Sequence, residues 1–288
     1  MSLSVNKNVN ASYVSKNSNE TIRDPISIFP DEVVVKVFSH LNLATLGSIC
    51  CVSKKWKRLA SEPILWKIVI YREIAFGNDK WAQCFGTDVV KDEDNREEFS
   101  SLPSDDFIAD CKKFKNIFPE KKAKDSLMLV RLPKTLNGGL TLKSLGELAK
   151  KYFSGSDSGY RYIWSAIVQE LGDKSIDKSH WVLMTKDVLP GSRNKSYGEQ
   201  QKIVAKLAEK SLISYEVPET LKSAVCILSQ YFSSEIRLFS DNPSTYIRCK
   251  EKVQGCQTIV GGFAPAGLIV HYFTYDYDTI GVAALRKF

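Results

Sequence analysis

The sequence predicts an α+β chain: a three-helix N-terminal module followed by an α+β domain that ends in a mainly antiparallel sheet. Three observations predict it. Between residues 30 and 66, apolar side chains recur at helical spacing in short runs, punctuated by residues that cap or stop helices. Past the middle of the chain, longer amphipathic helical patterns follow one another. From about Ile236 the pattern changes to short β-branched and aromatic runs with Gly and Pro between them. No internal repeat is visible, which argues against leucine-rich and propeller arrays.

Residues 1–23 are rich in Asn and Ser with little to bury, and are expected to be a disordered leader. In FPDEVVVKVFSHL, Pro30 suits the first helical position, and Asp31 and Glu32 complement the positive end of the helix dipole. Three consecutive Val favour a strand by propensity. The spacing of Val33, Val37 and Leu41, with Val34 and Phe38 alongside, favours a helix, and the capping chemistry settles it. Asn42 caps a second, short helix carrying Leu43, Leu46 and Ile49. Ser53 caps a third, which buries Trp56, Leu59 and Ala60 and is stopped by Pro63; Leu65, Trp66 and Ile68 follow as an apolar tail.

Residues 71–125 read as a helical connecting region, with the charged run KDEDNREE and a helix at 105–114. Residues 126–288 form the α+β domain, which is expected to fold by itself when the chain is cut at residue 100. It opens with a buried strand at 127–132, closed by Pro133. Thr141 starts a helix that aligns Leu142, Leu145, Leu148, Ala149 and Tyr152. After GSDSG a further helix gathers Tyr160, Ile163, Trp164, Ile167, Val168 and Leu171. WVLMT (181–185) is a strand. Ser196 and Glu199 have capping-box spacing for a helix to about Lys210, and Pro218 starts another through Phe232. Strands at 245–249, 257–260, 268–274 and 279–285 complete the chain, with VGGFAPAG making a tight turn or a bulge.

The segment 24–70, DPISIFPDEVVVKVFSHLNLATLGSICCVSKKWKRLASEPILWKIVI, resembles an F-box along its length. The opening Phe29, Pro30 and Glu32 match an apolar-Pro-x-Glu start, although the family more often has Leu where this chain has Phe29. Val33, Val37 and Leu41 fall on the first helix, with Leu46 a few residues on; Val52 and Trp56 belong to a Val-x-x-x-Trp-x-x-Leu-Ala block, and Leu65 and Trp66 close the motif. The resemblance implies that these eleven residues bind a Skp-type adaptor and, through it, a cullin–RING ubiquitin ligase, to which the rest of the chain presents an unknown protein substrate. A module of about 40 residues rarely buries enough surface to be stable alone, which is an independent reason to expect a partner. The larger domain resembles that of F-box proteins from chlamydia-like endosymbionts of amoebae, in SLMLVRLPKTLNGGLTLKSLGELAKKYF, WVLMTKDVLPGSRNKSYGEQQ and the close VGGFAPAGLIV…IGVAALRKF. That resemblance implies a bacterial protein delivered into a host cytosol; otherwise a cytoplasmic location is expected.

The net charge of +7 is spread along the chain, with short clusters at Lys54–Arg58 and Lys121–Lys124 rather than the single stripe a nucleic-acid footprint needs. No apolar run reaches the length of a membrane span, and no secretory signal is visible. The seven Cys (50, 51, 84, 111, 226, 249 and 256) form no CxxC or zinc spacing and read as reduced thiols, so neither a metal nor a cofactor is expected. Cys226, His271 and Asp276 or Asp278 stand in the order some cysteine hydrolases and transferases use, which makes an F-box-localised enzyme the alternative class. Against it, Cys226 lies on what should be the buried face of a helix, and buried thiols are inert. No catalytic residue is therefore assigned. His180 reads as a strand-end residue, and YFTYDYD (272–278) as a hairpin edge whose exposed Tyr would suit protein recognition. A third possibility is a decoy that occupies the adaptor without delivering a substrate.

Overall fold

A computed structural model describes residues 25–91, 101–103, 105–107, 109–110, 118, 120, 123–153 and 155–288. The expected leader, 1–23, lies outside the described residues. So does most of the KDEDNREE run. Of the helix expected at 105–114, the described residues 105–107 and 109–110 are helical.

After a short 3-10 helix at Pro25–Ile28 come four α-helices: α1 (Asp31–Phe38), α2 (Leu43–Ile49), α3 (Lys54–Ala60) and α4 (Pro63–Glu73). Pro30 stands one residue before α1, as its N-cap, and not at its first position. Asn42 Oδ1 accepts from the Thr45 amide at 2.8 Å to start α2, and Ser53 Oγ accepts from the Trp56 amide at 3.3 Å to start α3. The expected apolar tail is instead α4. Pro63 stands at its first position, where a missing N–H costs nothing, so this proline begins a helix as well as ending one. Leu65 and Val69 of α4 pack with Val34, Phe38, Leu46, Ile49, Leu59 and Ala60 in the module's core. One turn on, Ile70, Tyr71 and Ile74 pack into a different core, that of the body. Buried from two sides, α4 shows no amphipathic stripe, which is why its sequence does not read as a helix.

The body is built in layers. The first sheet has the order β1 (Ala75–Phe76), β2 (Leu127–Leu132), β4 (His180–Thr185), β9 (Leu285–Lys287). Every residue of β2 and β4 is buried, because both faces are covered. On the outer face Leu127, Leu129, Trp181 and Leu183 meet the end of α4, residues 102–118 where described, and helix α9 (Tyr197–Ser211). On the inner face Met128, Val130, Val182 and Met184 meet helix α10 (Thr220–Ser234), buried along nearly its whole length. Beyond α10 lies the second sheet: β3 (Tyr162–Ile163), β7 (Gly267–Tyr272), β6 (Cys256–Ala264), β5 (Tyr246–Val253), β8 (Ile280–Gly281). Its centre, β7-β6-β5, is antiparallel, and its two edges are short parallel strands. The overall architecture is α+β, as expected.

Further expectations are corrected. The strand expected at 279–285 is two, Ile280–Gly281 in the second sheet and Leu285–Lys287 in the first. Residues 75–90 are part of the body and do not connect to it: Ala75 pairs with Leu129 in parallel register, and helix α5 (Asn78–Phe85) buries Trp81 completely, its indole N–H donating to the Arg131 carbonyl at 3.1 Å. A chain cut at residue 100 lacks both. The helix expected from Tyr160 onward begins only at Ser165 (α8, Ser165–Leu171); Tyr162 and Ile163 pair with Ile269 and Val270 instead. The Gly pair of VGGFAPAG sits at a register shift in β6. Gly261 and Gly262 have φ +154 and +52, and a Cβ on Gly261 would stand 2.3 Å from the Thr245 carbonyl oxygen.

Candidate functional site

Helix α1 divides its apolar residues between two sides. Val34 and Phe38 enter the module's core, while Val33 and Val37, one turn apart, face outward with Phe29 a further four residues back. Val37 is 57% exposed and Val52, between α2 and α3, 60%. Pro30 and Glu32 are exposed beside them at the start of α1. The helix is anchored from below. Asp31 accepts from Arg58 at 2.5 Å and pairs with Lys55 at 3.4 Å, and the Arg58 hydrogen bond draws the Asp31 carboxyl below the usual range. Arg72 of α4 donates to the Ser39 and Leu41 carbonyls at 2.6 and 2.5 Å, closing the end of α1.

The other residues singled out by sequence behave differently. Leu46 and Leu65 are wholly buried in the module's own core, so any part they have in docking is to support the exposed face. Leu41, Trp56 and Trp66 are half-buried against that core, with Phe38 and Trp56 rings 5.4 Å apart. Sequence reasoning missed Ile28 and Ile64, both exposed, at 71% and 48%. Ile28 stands just before the apolar-Pro-x-Glu opening at Phe29, and Ile64 sits beside a proline that reads as a stop. Their apolar character was the one available signal.

The nucleophile alternative does not survive the geometry. Cys226 is fully buried in the middle of α10, and burial pushes its thiol well up from the usual range. It shares that core with Leu268 and Val270 of β7, whereas His271 points to the other face of the strand. His180 does stand at a strand end, as expected. Its Nδ1 lies 2.8 Å from the Lys178 carbonyl, and burial lowers its pKa to about 4. A cleft of about 1070 Å³ separates the module from the body, lined by Asn42, Glu73, Lys80, Cys84 and Lys151. Lys80 and Lys151 already donate to the Ala75 and Cys84 carbonyls, so the cleft reads as a seam between the two parts. Among the described residues, no group of His, Cys, Asp and Glu is placed to hold a metal ion, and no helix is long and apolar enough to cross a membrane.

Comparison with known proteins agrees with the helical geometry. The F-box-like family model matches residues 26–72. The F-box/WD repeat-containing protein pof10 of Schizosaccharomyces pombe is 28% identical over 86 residues, which cover 27% of this chain and 12% of that protein. The chain thus spans only a small part of that relative's length. No solved structure matches. Four helices with an outward apolar edge on α1, matched over residues 26–72, make the N-terminal part of this chain an F-box-like domain, fused directly to an α+β body.

Proposed function

We propose that the protein is the substrate-receptor subunit of a Skp–cullin–F-box ubiquitin ligase, docking through Phe29, Pro30, Glu32, Val33, Val37 and Val52. The observation that carries this reading is the solvent-facing Val33 and Val37 on a helix whose other side is fully packed. Large apolar side chains spaced one turn apart on an exposed face lose water contact favourably when a partner covers them. The receptor role needs no chemistry from this chain: holding a target beside the ubiquitin-charged partner raises its effective concentration. If the larger domain's resemblance to chlamydia-like F-box proteins is one of descent, the site of action is a host cytosol, and immunostaining of infected amoebae should find the protein there.

The test is co-purification with a recombinant Skp-type adaptor. The wild-type chain should bind, and Val33→Asp combined with Val37→Asp should weaken binding by roughly a hundredfold, about 3 kcal/mol, at an unchanged melting temperature. Wild-type affinity in that folded variant would sink the proposed face; no binding by the wild-type chain would sink the receptor reading and the decoy reading with it. Ubiquitylation of captured proteins, reconstituted with the complete ligase, separates a receptor from a decoy.

A further inference from the structure

The outer side of the second sheet carries a continuous row of aromatic rings. Tyr162 of β3 stacks on His271 of β7 with centroids 5.7 Å apart, and His271 stacks on Phe273 at 5.1 Å. Phe273 meets Tyr277 at 5.7 Å, and Tyr277 meets Tyr275 at 6.4 Å. Trp164 flanks His271 at 4.9 Å. Tyr162, Phe273, Tyr275 and Tyr277 are all exposed, Tyr275 at 68%. Clustered exposed aromatic rings mark partner contacts, because Tyr supplies much contact area at little entropic cost.

The loop that bears three of these rings is fixed in place. Arg248, itself buried, donates to the Lys195 carbonyl at 2.9 Å and the Tyr275 carbonyl at 3.3 Å, and pairs with Asp276 at 2.8 Å. Arg193 donates to the Asp278 carbonyl at 3.0 Å, and the Asn194 amide to the Tyr277 carbonyl at 3.1 Å. A loop ordered in advance loses little freedom on binding. Its charge is also distinctive: residues 272–279 carry no Lys or Arg, and of their two carboxylates Asp276 is held by Arg248 while Asp278 stays exposed, in a chain of net charge +7. At the other end of the row Arg161 is answered by Asp241 at 3.3 Å. Tyrosine faces and carboxylates side by side attract ammonium and guanidinium groups through cation–π and charge contacts.

We propose that this aromatic–acidic surface docks an extended, lysine- or arginine-bearing segment of the protein that the receptor holds; the substrate part of this rests on the receptor reading above. An extended chain of roughly six residues would cover a row of this length. The first sheet and α10 lie between this surface and the F-box-like domain, so an occupant leaves the docking face of α1 open.

The test uses the full chain and labelled octapeptides of alternating lysine and alanine, or glutamate and alanine. The lysine peptide should bind saturably and the glutamate peptide at least roughly tenfold more weakly. Tyr275→Ser combined with Tyr277→Ser, and separately the exposed charge reversal Asp278→Lys, should each cost the lysine peptide roughly tenfold in affinity while melting temperature is kept. Equal binding of both peptides, or unaltered binding by the folded variants, overturns the proposal. So does a concentration-dependent dimer that the same variants abolish, which would give the surface to a second copy of this chain. Adaptor co-purification is scored on the same samples: peptide binding without adaptor binding defeats the receptor reading and leaves the surface standing, and the converse defeats the surface alone.

Discussion

Among the described residues, eight buried side chains form the core of the F-box-like domain, and six large apolar ones on the same short stretch stay exposed: Ile28, Phe29, Val33, Val37, Val52 and Ile64. In the much longer body, the exposed large apolar residues among those described are Tyr162, Leu212, Ile236, Phe273, Tyr275 and Tyr277, of which four belong to one aromatic row. The body closes on itself, covering both faces of its first sheet and threading α10 between two sheets. The domain of four short helices cannot do so, because a chain of that size has too little interior for its apolar side chains. It borrows the body on one side, through α4, and leaves the apolar residues of the other side exposed. Exposure here therefore has two meanings: an unfinished surface in the first region, and a localised, pre-ordered one in the second.

The strongest way to break this contrast is in the body. Trp81→Ala removes a fully buried indole packed against Phe76 and Phe85, and should cost about 3–5 kcal/mol in thermal or denaturant unfolding. For the same reason residues 74–288 should melt cooperatively and residues 100–288 should not. A cooperative 100–288 fragment would show that β1 and α5 are dispensable. Next, Leu46→Ala should destabilise the F-box-like domain by about 2–5 kcal/mol. Val37→Ser, at an exposed site, should shift melting by no more than about 0.5 kcal/mol. Hydrogen exchange at α2 and α3 would register the difference; equal effects would mean that the inside and outside of this domain are misassigned.

His180 gives a smaller effect, with a sign. The unfolded chain takes up a proton on this side chain below about pH 6.5, whereas in the folded chain burial, with Lys287, Lys222 and Arg131 nearby, delays protonation to about pH 4. Stability is therefore complete above about pH 6.5 and falls as pH drops toward 4, by roughly 2 kcal/mol from this group after allowance for solvent screening. Melts of the wild type and His180→Gln at pH 7, 5.5 and 4.5 should converge as pH falls. A further modest effect is expected at a helix start: Thr141 Oγ1 accepts from the Ser144 amide at 3.0 Å and caps helix α7 (Leu142–Ala149), so Thr141→Ala should cost about 1 kcal/mol.

Elements defined by local chemistry were legible in the sequence. The caps at Asn42, Ser53, Thr141 and Ser196 lie where the side chains and spacing place them, because a cap is a contact between residues three apart. The runs of β2 and β4 read as buried strands because continuous apolar sequence fits a sheet covered on both faces. What long-range pairing decides was not legible. Tyr160, Ile163, Trp164 and Ile167 have helical spacing, yet the partner strand β7 draws Tyr162 and Ile163 into a sheet. Ala75 and Phe76 are too short a strand to carry a period. In the candidate docking site the motif was visible and its sidedness was not: Leu46 and Val52 match the same family pattern, but only packing reveals that one faces in and the other out. The aromatic row joins residues about a hundred positions apart, which no local pattern can express.

Helix α4 has a mechanical consequence. Its first turns are clamped in one core and its last turn in another, and β1 follows after a single intervening residue, so there is no pivot between the docking domain and the body. An α-helix of eleven residues is a strut about 16 Å long, stiff against bending over that distance. Packed into both cores, the helix couples the orientation of the F-box-like domain to that of the body. Under the receptor reading proposed above, a bound target would be held at one fixed reach and azimuth from the ligase, and which of its lysines can be modified would become a question of trigonometry more than of diffusion.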